Sequence, residues 1–156
     1  MALQKGDKAP AFTLYNTEKA EISLADYQGK NVVLLFFPFA FTSVCTAELC
    51  EMRDNILTYS SLKAEILAVS VDSLFTLGKY KEEQNLPFHL LSDFNKEAST
   101  AYDSIYDTFA FGTKGVSKRS AFVIDGEGII QYAEVLENAG DVPNFANVKE
   151  TLASLA

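Results

Sequence analysis

Both cysteines of the chain lie in one short stretch, FFPFAFTSVCTAELC, which runs from Phe36 to Cys50. Cys45 follows an apolar run and begins a polar segment with helical spacing, so it is predicted to lie in the first turn of a helix. The free amides and the positive dipole end of such a turn stabilise an anion, and the thiolate is the nucleophilic form of cysteine. The position therefore predicts a nucleophilic Cys45, although a small buried thiol without chemistry also fits it.

The elements that must position Cys45 can be read on either side of it. The segment NVVLLFFPF, from Asn31 to Phe39, is apolar without alternation, which is typical of a strand buried on both faces. Pro38 ends this strand because proline has no amide hydrogen to give to a sheet. Ligands of α/β sheets bind where such a strand meets the next helix. That helix is predicted over residues 43–60, with an apolar face made of Leu49, Met52, Ile56 and Leu57.

The rest of the chain alternates strands with helices, which predicts an α/β fold. The segments before residue 31 are extended at best and end in a turn at Gly29. A hairpin is predicted over residues 119–135, and a C-terminal helix over 144–156 has Phe145, Val148, Leu152 and Leu155 on one face. The other predicted elements are strands at 65–71 and 87–93 and helices at 73–85 and 96–103. This order predicts a thioredoxin-like fold, with a central mixed β-sheet and helices on both faces, in a single domain over residues 1–156.

Composition narrows the classes of function. The chain has 156 residues, a formal net charge of -8 and a pI near 4.6, so nucleic acids and anionic membranes are not expected partners. No apolar run approaches the roughly 20 residues that span a bilayer, and the first residues do not have the pattern of a secretory signal. These features predict a cytoplasmic protein, and in the cytoplasm neighbouring cysteines are more often catalytic than structural.

No cofactor and no metal site are predicted. Two cysteines and the distant His89 make a poor set of metal ligands, and the chain has neither a phosphate-binding loop nor a dinucleotide fingerprint. His89 is expected on a strand, as a packed or solvent-tipped side chain without a catalytic role.

The segment FFPFAFTSVC resembles the peroxiredoxin signature, in which proline, threonine and cysteine are separated by three and then two residues, here Pro38, Thr42 and Cys45. The segments GDKAPAFTL, PFHLLSD and RSAFVIDGEGII resemble other parts of that family, so the resemblance covers nearly the whole chain. Its PxAFTxxC pattern is similar to the small bacterial alkyl hydroperoxide reductase E type. The resemblance extends to the related Q type, also called bacterioferritin comigratory proteins. It implies a thiol-dependent peroxidase that reduces hydrogen peroxide and organic hydroperoxides.

The resemblance also implies a role for each site residue. Cys45 attacks the peroxide and becomes a sulfenic acid. Thr42 bonds the thiolate or the peroxide, and Arg119 supplies a permanent positive charge. Pro38 shields the sulfur from water, and Glu48, one turn after Cys45, orients Arg119.

Simpler interpretations exist for several of these residues. Thr42 also suits an ordinary helix N-cap, and Arg119 could be one of several solvated basic residues, with Lys118 as its competitor at the site. The apolar segment from Phe109 to Gly112 is expected to be core or a subunit interface rather than a substrate pocket.

Cys50 raises a separate question. On an ideal helix a five-residue spacing places the Cα atoms about 8.7 Å apart, whereas a disulfide needs about 7 Å or less, so Cys45 and Cys50 can bond only if the helix unwinds. The spacing matches the resolving cysteine of the Q type, which implies a Cys45–Cys50 disulfide reduced by thioredoxin or a similar dithiol. E-type relatives commonly lack this cysteine, and Cys50 is then structural while an external thiol resolves Cys45.

Two further classes of protein stay open at this point. A thioredoxin-like disulfide reductase requires Cys-x-x-Cys, which this chain lacks. A non-enzymatic redox sensor or interaction module on the same fold would need the same reactive thiol. A homodimer is possible, because the apolar FPFAF and FAFG segments could pair subunits.

Overall fold

The computed structural model of the protein describes residues 2–155. Their strands form one seven-stranded sheet in the order β2-β1-β5-β4-β3-β6-β7. Strands β3, β4 and β5 run parallel, and the other pairs are antiparallel, so the predicted mixed sheet is confirmed. The strands are β1 Thr13–Asn16, β2 Glu21–Ser23, β3 Asn31–Phe36, β4 Ala64–Ser70, β5 His89–Ser92, β6 Arg119–Ile124 and β7 Ile130–Leu136.

Helices cover both faces of the sheet, as predicted. The α-helices are α1 Ser43–Asp54, α2 Ile56–Ser61, α3 Leu74–Gln84, α4 Glu97–Ala101 and α5 Phe145–Ser154, with short 3-10 turns at Leu24–Tyr27 and Ala110–Gly112. The buried side chains of α1, α2, α3 and α5 form the core on one face. Residues of α4 and of the chain before β1 form the core on the other. Across residues 2–155, no helix combines the length and the apolar character needed to cross a membrane.

Strand β3 is buried on both faces because its side chains supply both cores. Val33 and Leu35 face the core under α1, whereas Val32, Leu34 and Phe36 face the opposite core. The strand lies between β4 and β6, so its carboxyl end is surrounded by ordered backbone. That end carries the loop that leads to Cys45.

The predicted helix over residues 43–60 was wrong in one respect, because it is two helices. Asn55 leaves the helical region (φ -106°, ψ 16°), and its side-chain amide donates a hydrogen bond to the Glu51 carbonyl at 2.8 Å. Asparagine commonly competes with helical hydrogen bonding in this way. The break turns Leu57, which was predicted on the apolar face, out to solvent, where it is 82% exposed.

The N-terminal segments hold more regular structure than the sequence suggested. β1 and β2 pair with each other, and β1 pairs with β5, which extends the sheet. In the C-terminal helix, Phe145, Val148 and Leu152 are buried as predicted, and Leu155 packs beside them. The predicted end of that helix at Ala156 lies outside the described residues.

Candidate active site

The loop between β3 and α1 is fixed by hydrogen bonds to the neighbouring strand β4 and to the segment that follows it. The Phe37 amide donates to the Val69 carbonyl at 2.9 Å, and the Ala40 amide donates to Asp72 Oδ2 at 2.8 Å. Phe41 adopts a left-handed backbone (φ +64°), which is costly for a residue with a side chain. A strained turn held by outside contacts is the local feature that brings the chain sharply into α1.

Cys45 lies in the first turn of α1 and is 1% exposed. The first hydrogen bond of the helix joins the Thr46 amide to the Thr42 carbonyl at 2.9 Å, so the amides before Thr46 have no acceptor within the helix. A cavity of about 240 Å³ opens beside the sulfur. It is lined by Pro38, Phe39, Thr42, Ser43, Val44, Cys45, Phe109, Arg119, Ala139 and Gly140.

Arg119 reaches Cys45 from the sheet. It is the first residue of β6, and the next residue, Ser120, pairs with Phe36 at the carboxyl end of β3. Its Nη2 donates a hydrogen bond to Cys45 Sγ at 3.1 Å, and Nε and Nη2 donate to the Ala139 carbonyl at 3.2 and 3.0 Å. Burial opposes the charge on Arg119, but Glu48 and Cys45 raise its pKa above the ordinary value. The guanidinium is therefore a fixed positive charge in contact with the sulfur.

Glu48 completes a buried ionic group with Arg119. It lies on α1 three residues after Cys45, and its Oε1 accepts a hydrogen bond from Arg119 Nη1 at 2.6 Å. Both residues are 1% exposed. Burial raises the pKa of Glu48 to about 7, although the charge and hydrogen bond of Arg119 pull it downwards. One guanidinium thus contacts two acidic groups, a carboxyl and a thiol.

Thr42 and Pro38 frame the cavity. Thr42 is the N-cap residue, but its hydroxyl accepts no hydrogen bond from the helix amides, and it donates to the Phe39 carbonyl at 2.8 Å rather than to Cys45 Sγ. The expected hydrogen bond from Thr42 to the thiolate is therefore not formed, because the single hydroxyl hydrogen is already used. The lone pairs of the hydroxyl oxygen can still accept a hydrogen bond. Pro38 is buried against the sulfur side of the cavity.

Comparison with known proteins decides the family. The family model described as "AhpC/TSA family" matches residues 5–133. Peroxiredoxin Bcp of Bacillus subtilis is 39% identical over 130 residues, with 82% of each chain covered. Alkyl hydroperoxide reductase E of Mycobacterium bovis is 35% identical over 156 residues, with 98% of each chain covered. The chain belongs to the AhpC/TSA family of peroxiredoxins.

The predicted resemblance to both the E type and the Q type is confirmed by these relatives. A solved structure, peroxidoxin BcpB from Mycobacterium tuberculosis, superposes with a TM-score of 0.83 at 26% identity and covers 98% of this chain and 96% of its own. The thioredoxin-like fold is confirmed with it. The activity of this peroxiredoxin is thiol-dependent peroxide reduction, which agrees with the function predicted from the sequence.

The structure brings five of the predicted site residues of this peroxiredoxin together and sets Cys50 apart. Cys50 is half-buried on the side of α1 that faces α3, and its Sγ lies 3.5 Å from Gln84 Oε1. Both cysteines are free thiols. Since α1 is continuous from Ser43 to Asp54, the helix is intact between the two sulfurs.

Other residues considered at the sequence level lie elsewhere or have a different setting. Lys118 forms an ion pair with Glu137 and does not contact Cys45, so Arg119 is the cation at the sulfur. His89 is half-buried on β5, with Nδ1 3.4 Å from Asn16 Nδ2.

The segment from Phe109 to Gly112 is not core, contrary to one of the two expectations for it. Phe111 is fully exposed, whereas the half-buried Phe109 lines the cavity beside Cys45 and stacks on Tyr106 with ring centroids 4.7 Å apart. The expectation of core is therefore wrong for Phe109, whereas a subunit interface at this segment stays a prediction. A left-handed backbone at Phe111 (φ +59°) bends the segment so that one ring turns inwards and the other outwards.

Three functional contacts were missed by sequence reasoning. Asp72 holds the loop before α1, and it could have been found because it directly follows a parallel strand next to β3. Tyr80 of α3 lies with its hydroxyl 2.9 Å from Thr46 Oγ1 and its ring 5.0 Å from that of Phe41. The carbonyl of Ala139 holds Arg119, and no side-chain pattern signals a backbone acceptor.

Proposed function

We propose that Cys45 is the peroxidatic cysteine and that Arg119, Thr42 and Pro38 form the site that makes it reactive. The observation that carries this proposal is the 3.1 Å hydrogen bond from Arg119 Nη2 to Cys45 Sγ at the wall of the cavity. A cationic donor at this distance favours the thiolate, which is the reactive form.

The reaction follows from these positions. The Cys45 thiolate attacks the terminal oxygen of a hydroperoxide, so that an S–O bond forms while the O–O bond breaks. Cys45 loses two electrons and becomes a sulfenic acid, and the departing oxygen takes a proton to become water or an alcohol. Arg119 holds the oxygens as negative charge moves from sulfur to the leaving group. Thr42 accepts the hydrogen of the hydroperoxide through its free lone pairs, while Pro38 excludes water.

The cavity supports hydrogen peroxide and small organic hydroperoxides as substrates. Its volume of about 240 Å³ exceeds the roughly 10–15 Å³ that a cavity needs in order to hold one water molecule. Phe39, Val44 and Phe109 give part of its wall an apolar character suited to an alkyl group.

We further propose that Cys50 resolves the sulfenic acid. The Cys50 thiol displaces water from Cys45–SOH to form a disulfide, and thioredoxin or a similar dithiol reduces this disulfide and is itself oxidised. The first turns of α1 must unwind, since five helical residues hold the two Cα atoms about 8.7 Å apart. The hydrogen-bond partner of the Cys50 thiol is the neutral side-chain amide of Gln84.

Intact-mass analysis after one equivalent of hydrogen peroxide tests both steps. The expected product of the wild type is two hydrogens lighter and has no free thiol, whereas Cys50→Ser gains one oxygen on Cys45. A wild type that holds a stable sulfenic acid beside a free Cys50 thiol would show a one-cysteine peroxidase. A Cys45 that reacts no faster than free cysteine would favour the non-enzymatic sensor.

Three other expectations from the sequence stay predictions. The chain is expected to be a single domain, to work in the cytoplasm and to form a homodimer. Half-exposed Phe41 and fully exposed Phe111 support apolar contact between subunits. Sedimentation of the reduced protein over a concentration series tests the dimer.

A further inference from the structure

The carboxyl group of Glu48 has one oxygen that the known contacts do not use. Oε1 accepts the hydrogen bond from Arg119, whereas Oε2 is buried without a hydrogen-bond partner among residues 2–155. In an ionised carboxylate both oxygens share the negative charge, so an unpaired buried Oε2 is expensive. A proton on Glu48 removes that charge. The raised pKa of Glu48, near 7, agrees with this balance, in which burial is the largest influence.

The charged groups around Glu48 determine when its carboxyl is protonated. Arg119 on β6 is the cation that acts on Glu48, and the same guanidinium contacts Cys45. Glu51 on α1 adds a weak negative influence. Tyr80, facing from α3, is neutral because burial raises its pKa to about 12. With Cys45 as a thiolate and Glu48 ionised, the buried group would carry an excess negative charge, and one proton on Glu48 makes it neutral.

We propose that Glu48 holds a proton while Cys45 is a thiolate and releases it when Cys45 is oxidised, so that this carboxyl offsets the proton that the leaving oxygen takes up. The inference rests on the proposed role of Cys45 as the peroxidatic thiolate. Glu48 then acts in the reaction as well as orienting Arg119.

The step is balanced in atoms and charge. The Cys45 thiolate, the hydroperoxide and protonated Glu48 become the Cys45 sulfenic acid, an alcohol or water, and ionised Glu48. The sulfenic acid carries no charge. The positive charge of Arg119 is then balanced by ionised Glu48, whose Oε1 lies 2.6 Å from Arg119 Nη1. When the dithiol later restores Cys45 as a thiol, its proton returns to Glu48 and the thiolate forms again.

Proton uptake during oxidation tests the inference. A pH-indicator dye in weak buffer reports the protons taken from solvent when stoichiometric hydrogen peroxide oxidises Cys45 in the Cys50→Ser protein. Absorbance of the thiolate near 240 nm is recorded first, so that only ionised Cys45 is counted. On the acid side of about pH 7, where Glu48 is protonated before oxidation, uptake is expected to fall below one proton per ionised Cys45, because Glu48 supplies part of the requirement. As the pH rises through about 7, uptake should approach one proton per Cys45.

Glu48→Gln in the same background is the decisive variant. It has no proton to give, so uptake is expected to be close to one per ionised Cys45 at every pH tested. Asp54→Asn, an exposed carboxyl at the end of the same helix, is the matched control and should behave as the parent does. Equal uptake in the parent and in Glu48→Gln would overturn the inference.

A second measurement does not depend on the folding of a Glu48 variant. Infrared difference spectra of the Cys50→Ser protein should lose the carbonyl stretch of a protonated carboxyl and gain carboxylate bands on oxidation. The absence of such a change would also reject the inference. Failure of the proposed function is distinguishable from both outcomes, since Cys45 would then show no added oxygen by mass.

Discussion

The two cysteines of α1 share a helix but have different surroundings. Cys45 is 1% exposed and receives a hydrogen bond from the Arg119 guanidinium at 3.1 Å. Cys50 is half-buried and lies 3.5 Å from the neutral amide oxygen of Gln84. A cationic donor favours a thiolate, whereas a neutral acceptor favours the S–H form. The comparison teaches that neighbours contributed by the sheet and by α3, rather than the helix itself, give the two thiols different electrostatic surroundings.

Removing the positive charge beside Cys45 should have the largest effect on the difference between the two cysteines. Arg119→Met takes away the donor to Cys45 and is expected to slow its oxidation by about 100- to 1,000-fold, the usual effect of losing one preorganised donor. Stopped-flow kinetics with hydrogen peroxide measures this. Lys118→Met, the adjacent residue that pairs with Glu137, is the control and should oxidise at the parent rate. A loss of the same size in both variants would place the effect in net charge rather than in the contact.

The pH dependence of the free energy of unfolding tests the surroundings of Cys45 through the neighbouring Glu48. Its pKa rises from 4.5 to about 7 on folding, so its contribution to the free energy of unfolding is complete below pH 4.5 and is lost as the pH rises through about 7. Urea unfolding of the reduced protein should therefore show a decline of at most about 3 kcal/mol across this window that Glu48→Gln lacks. A decline that is identical in Glu48→Gln contradicts this account.

Substitution of Thr42 tests whether the residues that line the cavity contribute to the reactivity of Cys45. Thr42→Val keeps the shape but removes the acceptor for the hydroperoxide, and a lost neutral hydrogen bond corresponds to a rate up to roughly tenfold lower. Thr46→Val is the matched control, because that hydroxyl faces Tyr80 instead of the cavity. The second-order rate constant of Cys45 oxidation should fall in the first variant and stay unchanged in the second. Equal rates for Thr42→Val and the parent would remove Thr42 from the mechanism.

The smallest expected effect concerns the link between α1 and α3. Tyr80→Phe removes the 2.9 Å contact with Thr46, which is worth roughly 1 kcal/mol, so opening of the first turn becomes about fivefold more favourable. Disulfide formation from the sulfenic acid should accelerate by a similar factor, as followed by quenched-flow mass spectrometry. Tyr102→Phe loses a hydrogen bond to Pro10 on the other face of the sheet and should leave the rate as it was. A rate unaffected by Tyr80→Phe would mean that opening does not limit resolution.

Much of the fold was predictable because the apolar and turn patterns of the sequence agree with the burial and pairing of the same residues in the structure. The apolar run of β3 reflects burial on both faces, and the Asp125–Gly128 turn joins two strands that pair as expected. The break at Asn55 was not predictable from periodicity, since it arises from one side-chain hydrogen bond to the backbone. Strands β1 and β2 were missed because their short sequences gain order mainly by pairing with an existing edge.

The site was predictable where the family motif fixes residue types, and less so where distant segments meet. Arg119 and Cys45 are 74 residues apart, and only the antiparallel pairing of β6 with β3 brings them into contact. The use of the Thr42 hydroxyl by Phe39, the inward ring of Phe109 and the carbonyl of Ala139 depend on loop geometry. Such geometry is not encoded in residue spacing.

The attachment of Arg119 to the sheet and of Cys45 to the helix has a consequence for the catalytic cycle. If α1 unwinds to form the disulfide, the sulfur and Glu48 depart together, whereas the guanidinium stays at the start of β6 with the Ala139 carbonyl as its remaining partner. A cation left in a largely apolar recess without its counter-ions is unfavourable. That unfavourable state would favour refolding of the helix once such a disulfide is reduced.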